Sequence, residues 1–146
     1  MFAKLDAGKR TEDLIAAAEY VKARKDVTKK IGAVGFCFGG GVCNTLASRL
    51  PWLAAAVPYY GSGVTADEAK TIKAALLLHF AATDERVNAG WPDYEAALKK
   101  TKVRYEAFTY PGTQHGFHND TTPRYDEAAA KLAWSRTLKH FKKHLR

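Results

Sequence analysis

The sequence predicts an α/β protein, a mostly parallel sheet flanked by helices, and three observations carry that reading. Apolar runs at residues 31–36, 53–60 and 74–80 are continuous rather than alternating, as in strands buried on both faces. Segments of helical periodicity separate them, the pattern of a sheet covered by helices. The first run leads straight into a glycine-rich turn, Gly39-Gly40-Gly41, where a strand can pass tightly into a helix.

The elements follow in order. Residues 10–24 read as a helix whose buried stripe would hold Leu14, Ile15, Ala18, Tyr20 and Val21. Residues 31–36 form the first strand, and the helix after it, 39–49, stops before Pro51. The second strand, 53–60, ends at Gly61-Ser62-Gly63. The third, 74–80, is followed by the polar stretch Ala82-Thr83-Asp84-Glu85. Pro92 suits the first turn of a helix running to residue 100. Residues 103–110 alternate as a half-buried strand and end at Pro111-Gly112, and a long helix over 125–144 closes the chain. Crossovers between parallel strands should be right-handed. In such sheets chemistry gathers beyond the carboxyl ends of the strands.

With 146 residues, 47% of them hydrophobic, the chain suffices for one domain with its own core. No apolar stretch nears the ~20 residues of a membrane-spanning helix. The start, Met1 to Asp6, carries no hydrophobic secretory segment. The two cysteines, Cys37 and Cys43, are separated along a turn and helix start, which disfavours pairing them. A reducing, cytoplasmic compartment is the expectation, with an upstream leader left open. The formal charge of +8 raises nucleic acid as a partner. Yet residues 131–146 alone hold six lysines or arginines and no acid. Cations there complement a helix C-terminus, and no nucleic-acid-binding motif accompanies them. Neither nucleic acid nor membrane is expected as a partner.

Three polar residues fall just past three of the four strands. Cys37 follows the first, within Gly35-Phe36-Cys37-Phe38-Gly39-Gly40; Asp84 follows the third; His115 follows the fourth. Strand, glycine-framed nucleophile and helix make a nucleophile elbow, and the order nucleophile, acid, histidine is that of α/β-hydrolases. Cys37 would attack a carbonyl carbon while His115 takes its proton. Asp84 would bond the far ring nitrogen and fix the tautomer. The Phe38 backbone N–H would supply one oxyanion donor, a second coming from elsewhere. Phe36, Tyr59 and Tyr60 are candidates to line the substrate pocket. Glu85 and Asp93 are weaker rivals for the acid. Cys43 reads as core, His79 as a satisfied core residue, and His140 and His144 as solvent-facing. His115, His118 and Asp120 lie too close in sequence to fold readily round one ion, so no metal and no cofactor are expected.

At these residues the chain resembles the dienelactone hydrolase family. The resemblance rests on Gly35-Phe-Cys-Phe-Gly-Gly40, Tyr59-Tyr60-Gly61, the Asp84 loop and Pro111-Gly112…His115-Gly116-Phe117. The segment from Tyr125 through Trp134 to Arg136-Thr137-Leu138 completes it. It spans essentially the whole chain as a single domain. It implies an α/β-hydrolase fold and a Cys-Asp-His triad that cleaves small-molecule esters or lactones without metal or organic cofactor. Relative to the family, the chain starts near the helix before the nucleophile strand, so the family's first strands are missing from it. The resemblance assigns to that part the second oxyanion donor and a glutamate that partners the resting cysteine. Weak or absent turnover is therefore expected, as is self-association through the uncovered strand edge, giving a homo-oligomer. The family also places an arginine shortly after the histidine to hold a substrate carboxylate. Here the stretch reads His118-Asn119-Asp120, which argues against dienelactone itself. Two other functions fit the residues: a non-catalytic interaction module, and a thiol-redox protein using Cys37 and Cys43.

Overall fold

The computed structural model of the protein describes residues 6–146. The expectation about a secretory segment at the start therefore falls mostly outside the described residues. Four strands, β1 (Gly32–Phe36), β2 (Ala55–Tyr59), β3 (Ala75–Ala81) and β4 (Tyr105–Tyr110), form one sheet in the order β1-β2-β3-β4. All three pairings are parallel. Two of the three continuous apolar runs are central, every residue of β2 and β3 being buried, whereas the third, β1, is an edge strand with Val34 and Phe36 exposed. The alternating sequence of β4 belongs to an edge, and so does β1.

Helices cover both faces. On one lie α1 (Ala7–Ala23), α2 (Phe38–Arg49), the four-residue α3 (Ala66–Ala69) and α5 (Trp91–Lys100), over a core that includes Leu46, Leu76, Leu78 and Leu98. The other face is closed by α6 (Glu127–His144) over Val57, Tyr59, Leu77 and Phe117. The short α4 (Glu85–Asn88) follows β3. Neither α3 nor α4 was expected. Thr65 and Glu68 start α3 with a reciprocal capping box, and the Asp84 carboxylate accepts from the Val87 N–H to start α4.

Two packing expectations are corrected. In α1 only Ile15 and Ala18 of the proposed stripe pack on the core; Leu14, Tyr20 and Val21 are exposed. The reason is placement: α1 lies beside α2 at the sheet's margin, and one narrow strip of it meets the core. His140 is buried rather than solvent-facing, its Nε2 3.1 Å from the Ala75 carbonyl. Ala133, Thr137 and His140 are one and two turns apart and form the face of α6 laid on the sheet.

His79 is a satisfied core residue, as expected. Thr137 Oγ1 donates to the Ala133 carbonyl at 2.9 Å, so Tyr59 Oη at 2.7 Å and His79 Nε2 at 3.2 Å must both donate to it. His79 Nδ1 then accepts from the Tyr110 hydroxyl at 2.9 Å, and that hydroxyl oxygen accepts from Arg136 at 3.1 Å. This chain of hydrogen bonds, buried except at its Arg136 end, fixes His79 as the neutral Nε2–H tautomer. Burial and the nearby Arg136 cation push its pKa down to about 3. It pins α6 to the middle of the sheet, directly beneath the site.

Candidate functional site

Cys37 stands between β1 and α2 with φ 57° and ψ −117°, a left-handed backbone that a non-glycine residue adopts only under constraint. Its N–H donates to the Tyr59 carbonyl at 3.0 Å, and its carbonyl accepts from the Gly40 N–H at 3.0 Å. The turn needs glycine at specific places. A Cβ on Gly35 would lie 2.1 Å from the Gly39 oxygen, and one on Gly40 2.5 Å from the Tyr59 oxygen. The sulfur is consequently raised beyond the end of the sheet and exposed. Phe38 is the first residue of α2, so its N–H is among those a helix leaves without an intrahelical acceptor.

Loops after β3 and β4 bring the other two residues to the sulfur. His115 Nε2 lies 3.0 Å from Cys37 Sγ, and His115 Nδ1 lies 2.5 Å from Asp84 Oδ2. Asp84 is buried and His115 partly so, which strengthens their pairing relative to a solvated one. The other Asp84 oxygen caps α4, so the carboxylate is held at both ends. The loops are tied together as well: the Thr83 N–H and hydroxyl both donate to the Thr113 carbonyl, at 3.1 and 2.9 Å. Of the rival acids, Glu85 opens α4 on solvent and Asp93 sits in the first turn of α5.

A cleft of about 440 Å³ opens over the sulfur, walled by Phe36, Tyr60, His115, His118 and Arg124. Phe36 and Tyr60 are thus where the sequence suggested. Tyr59 is not: it is fully buried below the cleft, where its hydroxyl anchors to Thr137 and its ring lies 4.5 Å from that of Phe36. Tyr60, at φ 37°, closes the floor, and burial pushes its hydroxyl up to about 12. His118 packs between Phe36 and Trp134, and burial lowers its pKa. Cys43 is buried beneath the elbow and its thiol is pushed up to about 12, the state of an inert core cysteine. Among the described residues no group of three or more His, Cys, Asp or Glu gathers where it could hold a metal ion. No helix of the described residues is long and apolar enough to cross a membrane.

Arg124 is the site residue that the sequence reading missed. The segment after His115 folds back on itself, with Asp126 N–H donating to the Phe117 carbonyl at 3.0 Å. This return places the guanidinium 3.6 Å from where a Cβ on Gly116 would be. An arginine does reach the cleft, from farther along the chain than expected. The only sequence signal was a single arginine after Pro123.

The dienelactone hydrolase family model matches residues 1–145. The chain belongs to the dienelactone hydrolase family. A relative from Saccharolobus solfataricus, provisionally named a carboxymethylenebutenolidase, is 39% identical over 126 residues. That match covers 86% of this chain and 48% of the relative. A provisionally named dienelactone hydrolase of Klebsiella pneumoniae superposes with a TM-score of 0.86 at 26% identity, covering 99% of this chain and 65% of that one. The dienelactone hydrolase of Anabaena variabilis shares the fold, with a TM-score of 0.74 at 23% identity over 97% of this chain and 62% of its own. The chain thus spans about half to two thirds of the length of these family members. The four-stranded parallel sheet and its helices are part of the family's α/β-hydrolase fold.

Proposed function

We propose that the chain carries the nucleophile, base and orienting acid of an ester or lactone hydrolase, in the persons of Cys37, His115 and Asp84. The observation that carries this reading is the unbroken contact chain from Cys37 Sγ through both ring nitrogens of His115 to Asp84 Oδ2. The names of relatives, carboxymethylenebutenolidase and dienelactone hydrolase, support a carboxylic ester or lactone as the substrate class.

The cycle follows from these positions. Cys37 Sγ attacks the carbonyl carbon as its proton passes to His115 Nε2, and Asp84 stabilises the imidazolium through Nδ1. Negative charge builds on the carbonyl oxygen, which the Phe38 N–H at the head of α2 receives. Collapse of the tetrahedral intermediate breaks the carbon–oxygen bond, and His115 returns the proton to the leaving alkoxide. Water, deprotonated by the same nitrogen, then attacks the thioester and releases the acid, and Cys37 regains its proton. In a lactone the alkoxide and the acid are one molecule. Phe36 and Tyr60 supply apolar walls. Arg124 favours substrates bearing negative charge on the cleft side.

Among the described residues we assign one oxyanion donor, the Phe38 N–H, and working without a second typically costs about 10²–10³ in rate. Turnover by this chain alone is accordingly weak. We propose also that it self-associates through β1, whose open edge carries the exposed Val34 and Phe36. The direct test of the hydrolase reading is steady-state hydrolysis of aryl esters and simple lactones by the wild type and Cys37→Ala. Hydrolysis that disappears in the variant supports it; equal rates contradict it.

A further inference from the structure

Cys37 and Tyr60 line not one depression but two. Besides the cleft under His115 and Arg124, a second of about 360 Å³ opens on the α2 side of the sulfur, with Phe38, Val42 and Ser62 in its walls. Its lining holds one charged side chain, Arg86. Through Ser62, Gly63 and Arg86 it continues into a larger cavity of about 720 Å³ between the loop after β2 and α5. Arg86 lies two residues beyond Asp84, on the turn that the triad acid caps, so its backbone is fixed relative to the nucleophile. Among the described residues Arg86 makes no ion pair; Asp93 lines the farther cavity without pairing to it. A cation with no counter-ion, facing a depression that starts at the reactive sulfur, is a ready partner for a substrate anion.

Which part of the substrate enters follows from where the proton goes. His115 borders the first cleft only, and it must protonate the leaving oxygen, so the leaving group lies on that side. The carbonyl oxygen turns to the Phe38 N–H at the mouth of the second depression. The acyl chain is then directed along the α2 side, between Val42 and Tyr60 and toward Arg86. We infer that this second lobe is an acyl site and that Arg86 selects acyl chains ending in a carboxylate, a conclusion that rests on the hydrolase reading above. Half-esters of dicarboxylic acids, and lactones of hydroxy dicarboxylic acids whose free carboxylate lies on the acyl side, are the corresponding substrates. Arg124 reads charge on the opposite, leaving-group side.

The test compares phenyl pentanoate with the monophenyl ester of glutarate, which share a leaving group and differ by a terminal carboxylate. The wild type should favour the charged ester in kcat/KM. Arg86→Ala should lower the charged-to-neutral ratio about tenfold, as loss of one charge-assisted contact does, and Arg86→Lys should recover part of it. A ratio unchanged in Arg86→Ala overturns the inference. So does a ratio that falls in Arg124→Ala instead, since the carboxylate would then occupy the other cleft. A second measurement needs no turnover: free glutarate should protect Cys37 from iodoacetamide, and Arg86→Ala should need about tenfold more of it. Buried Cys43 does not confuse the labelling. Equal protection in both proteins overturns the acyl lobe. Arg86-dependent protection without ester hydrolysis would leave the anion site standing and remove the hydrolase reading.

Discussion

Acidification should loosen this protein from its centre, because His79 is neutral and buried beneath the site. The folded-state pKa is lowered from 6.5 to about 3, by burial first and by Arg136 second. Below pH 6.5 the unfolded chain therefore binds a proton that the folded chain refuses. The stability that His79 contributes is complete above that value and is lost as pH falls toward 3. At pH 5 the unfolded state gains about 1.5 pK units' worth of protonation free energy, about 2 kcal/mol relative to pH 7.5. A loss of that size shifts a urea midpoint by about 1 M for a domain of this size. The assay is urea unfolding at pH 7.5, 6 and 5 for the wild type and His79→Gln, a neutral side chain that can both donate and accept. His118, His140 and His144 are also lowered by burial, but they titrate in both proteins, so most of their contribution drops out of the comparison. The variant should be less stable at pH 7.5 and fall less steeply, by about 2 kcal/mol, between pH 7.5 and 5. Parallel curves would refute the buried neutral imidazole. The consequence reaches the site: Tyr59, held by the same threonine as His79, presents the carbonyl that anchors the Cys37 N–H.

Two further outcomes follow from the geometry. Asp84→Asn leaves His115 without an anionic partner and free to adopt the wrong tautomer, so kcat should fall by about 10²–10⁴ with KM little changed in steady-state kinetics. A small or absent drop would remove Asp84 from the triad. Self-association through β1 should vanish in Val34→Lys, a charge on the open edge, and light scattering after size exclusion reads the mass directly. A wild type that stays monomeric at high concentration contradicts the edge-pairing proposal.

The centre of the sheet was legible because burial on both faces leaves uninterrupted apolar runs in β2 and β3, and all four strands and the long helices lie within a few residues of their expected places. What failed was information carried by packing partners rather than by the local pattern. The α6 face against the sheet is built from Ala130, Ala133, Thr137 and His140, small or polar residues with little apolar signal, so His140 was assigned to solvent. In α1 the pattern showed apolar residues but not that one narrow strip meets the core. The four-residue helices are too short for periodicity, although the Thr65…Glu68 box was readable as a start signal.

That Cys37, Asp84 and His115 meet was legible because glycine framing and strand ends place them, whatever the side-chain packing. Tyr59 and Tyr60 are adjacent and alike in sequence. Only the pleat and the positive φ of Tyr60 decide that one ring lies in the core and the other under the cleft. Arg124 depended on how its loop folds back, and Arg86 on a four-residue helix, neither of which spacing encodes.

The central claim is that Cys37 becomes acylated. Quench-flow with a 4-nitrophenyl ester, followed by intact-protein and peptide mass spectrometry, tests it most directly. The account predicts an early burst of one acyl group per chain, located on the peptide containing Cys37 and absent from Cys37→Ala. Hydrolysis with no acylated Cys37, or with the acyl group on another residue, would contradict it.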